Sequence, residues 1–173
     1  MTSRTLLLMR HAKAERGTAG QRDFDRSLAE RGRADAPRMG REIARRGWLP
    51  DLALVSPARR TTETWDLASA AFGAPVGMEF AEAIYDAPVA ALVKLARAAP
   101  PDVGTLMIVG HNPGMEVLAE RLAGPGSADM PLAALEEKFP TGALARLTFD
   151  GEWTDVSDGA ARLADFIRPA DLS

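Results

Sequence analysis

The whole chain contains two histidines, and each stands where a short apolar run breaks off. "TLLLM" (5–9) gives way to Arg10-His11, and "TLMIV" (105–109) to Gly110-His111-Asn112. A third run, "DLALV" (51–55), ends in Ser56-Pro57-Ala58-Arg59-Arg60. Imidazole titrates near neutral pH and becomes a nucleophile when one ring nitrogen is bare. Guanidinium keeps its charge at any physiological pH and offers a planar fork of donors that matches phosphate oxygens. Histidines and arginines of this kind, brought together, would hold a tetrahedral anion and could form a covalent bond to it.

The elements that must position them follow from the runs themselves. Each run is rich in Leu, Ile, Val or Met and lacks polar alternation, the pattern of a strand buried on both faces in a parallel sheet covered by helices. Helical stretches lie between. "SLAERG" (27–32) reads as a capping box with Ser27 as N-cap and Glu30 three residues on. A short turn follows, then a helix from about Asp35 to Arg46 with Pro37 in its first turn and Gly47 as the stop. After the second strand, Ser56 is expected as N-cap and Pro57 as N1 of a helix ending near Gly73, with Ala58, Thr62, Trp65, Ser69 and Phe72 on its buried face. Further helices are expected over 88–98, from Pro113 to Gly124, and around "MPLAALEEK". "ALARLTF" (143–149) reads as a strand, and the segment 160–168 as a closing edge strand in preference to a helix.

Strands alternating with helices predict a three-layer α/β/α sandwich with a mostly parallel central sheet. Ligands of such folds bind beyond the carboxyl ends of the parallel strands, where Arg10-His11, Ser56 to Arg60 and His111-Asn112 are all expected. Two of these sites also open helices, whose free N–H groups and dipole favour an anion.

Composition narrows the class. At 173 residues, 46% of them hydrophobic and 26% charged, the chain suits one globular domain spanning 1–173. Its net charge of −3 gives no global attraction to nucleic acid or an anionic membrane, so an anion site must be built locally. No cysteine is present, which excludes disulfides, a thiolate metal site and a cysteine nucleophile. No run approaches a membrane span or a signal-peptide core, so the expectation is a cytoplasmic protein.

The segments "LMRHA" (8–12), "SPARRTTET" (56–64) and "VGHNPG" (109–114) resemble the histidine phosphatase superfamily, a phosphoglycerate-mutase-like fold. "RHAKAE", "RSLAERGRADAPRMG", "GHNPG" and "KFPTGALARL" are similar to its compact SixA-type phosphohistidine phosphatase branch. The resemblance implies His11 as nucleophile, Arg10 and Arg59 as phosphate clamps, and His111 as the second histidine, with no metal and no cofactor. Ala12 replaces the glycine usual after Arg-His. The carboxylic acid that many members use to protonate the leaving group has three candidates: Glu82 first, then Asp86 and Glu15. Ser56 and Asn112 are candidate phosphate contacts as well as a helix cap and a turn residue. Arg60, about 100° around the helix from Arg59, reads as structural or solvent-facing.

The expected activity is metal-independent hydrolysis through a phosphohistidine intermediate, with a phosphorylated protein as substrate. Imidazole is a far less demanding leaving group than an alkoxide, so the lack of an obvious acid favours an N-phosphorylated substrate. A phosphatase of small phosphate esters is the alternative enzyme, and a non-catalytic phosphate-binding module the alternative of another class.

Overall fold

Leu6, Leu7, Leu8 and Met9 are all buried, because their strand lies inside a sheet covered on both sides. Leu6 and Leu8 join one core with Leu92, Met115 and Leu118, while Leu7 and Met9 join a second with Met39, Ile43 and Trp65. Successive residues of a strand point to opposite faces, so an unbroken apolar run feeds two cores at once. The computed structural model describes residues 2–173. The elements are β1 (Ser3–Arg10), α1 (Glu30–Arg45), β2 (Leu52–Val55), α2 (Arg59–Ser69), β3 (Gly77–Phe80), α3 (Val89–Arg97), β4 (Thr105–Gly110), α4 (Gly114–Leu122), α5 (Asp129–Glu137), β5 (Leu144–Asp150) and β6 (Arg162–Ile167). Short 3₁₀ turns occupy Asp23–Asp25 and Glu82–Ile84.

The six strands form one sheet in the order β3-β2-β4-β1-β5-β6. β3, β2, β4 and β1 are parallel, and β5 and β6 add an antiparallel edge. Helices α1 and α2 cover one face, and α3 and α4 the other. This is the expected α/β sandwich, and the segment 160–168 contains the expected strand. The short β3 carries no apolar run and lies exposed at the sheet edge, so its sequence pattern is faint. No helix among the described residues is long and apolar enough to cross a membrane.

Two helix starts differ from expectation. Ser27 is no cap: an isolated bridge between Ala14 and Leu28 holds residues around it in extended pairing, with Glu15 N–H donating to Ser27 O at 2.8 Å. α1 therefore begins at Glu30 behind Ala29, and Pro37 lies in its interior rather than its first turn. A mid-helix proline costs about 3 kcal/mol, so burial of Ala36, Met39 and Ile43 must outweigh it. Gly40 explains how closely this helix packs, since a Cβ there would lie 2.1 Å from the Ala68 carbonyl oxygen of α2. Ser56, likewise, does not cap α2. Its N–H donates to Val109 O at 3.1 Å, which prolongs the sheet by one residue, and Ala58 becomes the N-cap.

Candidate active site

Sheet register brings the two histidines together. β1 and β4 are paired with Arg10 opposite Gly110, so His11 and His111 leave neighbouring strands at the same level. His11 N–H donates to Gly110 O at 3.0 Å, and the two imidazole centroids are 5.4 Å apart. β2 lies on the other side of β4, Val55 opposite Val109, which brings Ser56 in beside them.

The two rings are held differently. His11 Nδ1 lies 2.7 Å from the Ala12 carbonyl oxygen. A carbonyl only accepts, so Nδ1 carries the hydrogen and Nε2 keeps its lone pair. Burial, helped by the neighbouring His111, Arg60 and Arg10 and opposed by the Ala12 hydrogen bond, pushes the His11 pKa down to about 3. The ring is thus neutral at physiological pH. His111 Nε2 lies 2.8 Å from Ser56 Oγ, while its Nδ1 is buried without a partner among the described residues. Burial lowers its pKa to about 4, with Arg60 and Arg10 acting the same way and Asp23 opposing them.

Arg10 is buttressed from behind. Its guanidinium donates to Phe139 O at 3.0 Å, and Asn112 Nδ2 donates to the same carbonyl at 2.9 Å. The segment after Phe139 is pinned to the β1 end, where Gly142 N–H donates to His11 O at 2.8 Å. Gly142 has φ of +79°, and a Cβ on it would stand 2.9 Å from Pro169 Cγ, so glycine is required here.

The second arginine beside the histidines is Arg60. With α2 starting at Arg59, the 100° step between neighbours sends the two guanidiniums apart. Arg59 is 58% exposed in its side chain and lies 3.4 Å from Glu63, four residues on. Arg60 is 7% exposed, and its charge acts on both His11 and His111. It shares its face with Thr64, whose Oγ1 accepts from Ala12 N–H at 3.0 Å. Of the two readings of Arg60, structural or solvent-facing, the solvent-facing one is therefore corrected, and Arg59, expected as a phosphate clamp, lies on the exposed face of α2. An Arg59–Glu63 pair at i,i+4 is a solvent-face signal that the sequence already contained.

Two more residues complete the group. Asp23, from the 3₁₀ turn, accepts from Arg60 through its backbone oxygen at 2.8 Å and its Oδ2 at 2.9 Å. Tyr85 donates its hydroxyl to the same Oδ2 at 2.6 Å, and its ring meets His111 edge-on at 5.4 Å. Tyr85 and Arg26 ahead of Arg60 hold the Asp23 carboxyl well below the usual carboxylate range.

The proton-donor candidates are not tied into this group, although the charge of Asp86 acts on Tyr85. Glu82, Asp86 and Glu15 are exposed, and among the described residues none makes a side-chain hydrogen bond or ion pair. Asn112 spends its side chain on Phe139 O and on Glu116 N–H at 3.3 Å, a helix-opening role for α4. Ser56 is buried and faces His111. Of the four buried side-chain nitrogens and oxygens without a partner among the described residues, three are here: Arg10 Nε, Arg60 Nε and His111 Nδ1.

Comparison with known proteins agrees with this geometry. The model of the histidine phosphatase superfamily (branch 1) matches residues 6–84. An uncharacterised protein of Mycobacterium tuberculosis is 36% identical over 168 residues, covering 93% of this chain and 99% of its own. The Agrobacterium tumefaciens protein assigned as the phosphohistidine phosphatase SixA is 37% identical, with 96% and 98% of the two chains covered and a TM-score of 0.81. The protein histidine phosphatase SixA complexed with tungstate shares the fold at 21% identity, with 98% and 99% covered and a TM-score of 0.79. Extended similarity over nearly the full chain, with paired histidines at the carboxyl ends of β1 and β4, places this protein in the histidine phosphatase superfamily.

Proposed function

We propose that the protein is a phosphatase that forms a covalent phosphohistidine on His11, with a phosphohistidine-bearing protein as its substrate. The orientation of His11 carries this reading. Its Nδ1–H is committed to Ala12 O, which leaves a bare Nε2 on a neutral ring beside Arg10, Arg60 and His111. A module that only docked phosphate would need the guanidiniums but no nucleophilic nitrogen.

In the first step the Nε2 lone pair attacks phosphorus while the P–N bond of the substrate breaks. A phosphoimidazole protonated on its distal nitrogen departs as neutral imidazole and needs no acid. The Nδ1–H bond to Ala12 O then stabilises the charge on the phosphorylated His11 ring. Water attacks the same phosphorus, the N–P electron pair returns to Nε2, and dihydrogen phosphate leaves. Arg10 and Arg60 stabilise the charge on the equatorial oxygens, which together with positioning is most of what phosphoryl transfer asks of a protein. A bound dianion raises the pKa of a neighbouring imidazole, so His111 joins them as a cationic donor.

The choice of an N-phosphorylated substrate follows from the carboxylates. Asp23, whose charge acts on His111, is held ionised and cannot donate a proton, and Glu82, Asp86 and Glu15 stand in solvent. Expelling an alkoxide without an acid would be slow.

Two measurements test the proposal. Brief incubation with an acyl phosphate gives an acid-labile, base-stable adduct that disappears in His11→Ala. Competition among phosphohistidine, phosphoserine and a sugar phosphate gives the highest kcat/KM for phosphohistidine. A marked preference for the sugar phosphate rejects the substrate assignment, and phosphate binding without any adduct marks a docking module.

A further inference from the structure

We propose that Asp23 is a positioning residue of this site: its carboxylate clamps Arg60 and Tyr85 against His111, so that Arg60 meets the phosphoryl group in one orientation and His111 is the histidine that takes the proton. The inference deepens the phosphatase reading and rests on it.

The contacts are specific. Arg60 is gripped at both terminal nitrogens by one residue, NH1 by Asp23 O at 2.8 Å and NH2 by Asp23 Oδ2 at 2.9 Å. A two-point hold fixes the plane of a guanidinium as a single contact cannot. Its buried Nε has no partner among the described residues. Oδ2 also receives the Tyr85 hydroxyl at 2.6 Å, which stands the Tyr85 ring at 90° to His111. Phe24, next in the chain, supports Tyr85 edge-on at 5.3 Å, and Arg26 braces Asp23 Oδ1 at 2.8 Å.

The same geometry separates the two imidazoles. His111 is faced by Ser56 Oγ, the Tyr85 ring and the His11 ring, and by the charges of Arg60, Arg10 and Asp23. His11 is faced by the Ala12 carbonyl, which favours its proton, and by the charges of His111, Arg60 and Arg10, which oppose it. Burial is the largest influence on both rings, and the Asp23 carboxylate favours the proton on His111, which suits His111 as the cationic phosphate donor and His11 as the nucleophile. Asp23 also ties the exposed 15–23 loop to α2 through its ion pair with Arg60.

Because the chain has only two histidines, imidazole NMR resolves both titrations without turnover. In the substrate-free parent, His111 should titrate at higher pH than His11. Asp23→Asn should move His111 downward and leave His11 in place, and Asp23→Glu should restore most of the shift. The Asn variant should also raise the inhibition constant of inorganic phosphate about tenfold, the effect of weakening one hydrogen bond to a charged group. An Asn variant with His111 and phosphate affinity unchanged overturns the proposal. So does a parent in which His111 titrates at or below His11, a result independent of whether any variant folds. If the parent forms no adduct on His11 while the titrations behave as stated, the phosphatase reading fails and the clamp survives.

Discussion

An imidazole in the unfolded chain takes its proton near pH 6.5, whereas His11 and His111 resist it down to about 3 and about 4. Between those values the unfolded chain binds more protons than the native one, so stability falls as pH falls. The contribution is fully present above pH 6.5 and is lost progressively towards pH 3. Urea midpoints should therefore decline between pH 6.5 and 5, a window above the usual range of carboxylate titration. Replacing both histidines by asparagine should flatten that decline, and a parent with no slope there would contradict the assignment. The same depression keeps the nucleophile unprotonated, so acid loss of kcat/KM by protonation of His11 should begin well below pH 6.

At the scale of elements, the site depends on where chains cross closely. α1 meets α2 at Gly40, where a Cβ would face a backbone oxygen at 2.1 Å, and backbone cannot swing aside as a side-chain tip can. Gly40→Ala should lower the unfolding free energy by about 1–3 kcal/mol, the range for overpacking, and leave kcat within a factor of about two. Gly142→Ala combines a positive φ with a contact to Pro169 and disturbs the N–H bond to His11 O. It should cost similar stability and reduce activity at least tenfold, as chemical denaturation and kcat/KM on one sample would show. Equal activity loss in both variants would mean that the 139–143 segment has no special hold on the β1 end.

For the whole molecule, a net charge of −3 means that anion affinity comes from the local cluster. A ligand at a hundred times its dissociation constant stabilises the native state by about 2.7 kcal/mol. Inorganic phosphate should therefore raise the melting temperature of the parent and of Arg59→Ala, but not of Arg60→Ala. A shift lost in Arg59→Ala and kept in Arg60→Ala would reverse the roles given to the two arginines.

Local pattern determined the sandwich, the strand ends and the two histidines. A short unbroken apolar run suits a strand buried on both faces, and the residue that breaks it then emerges at the sheet's end. Register then made neighbours of positions 11 and 111, which no local pattern states. Helix phase chose Arg60 over Arg59, because a cap shifted from Ser56 to Ala58 changes which side chain faces the sheet. Asp23 and Tyr85 lie in segments without periodicity, and their meeting at one oxygen depends on how the 15–29 loop and the turn after β3 pack over α2. Short-range regularity records what a residue must do about water; which distant side chains converge is decided by the folded geometry alone.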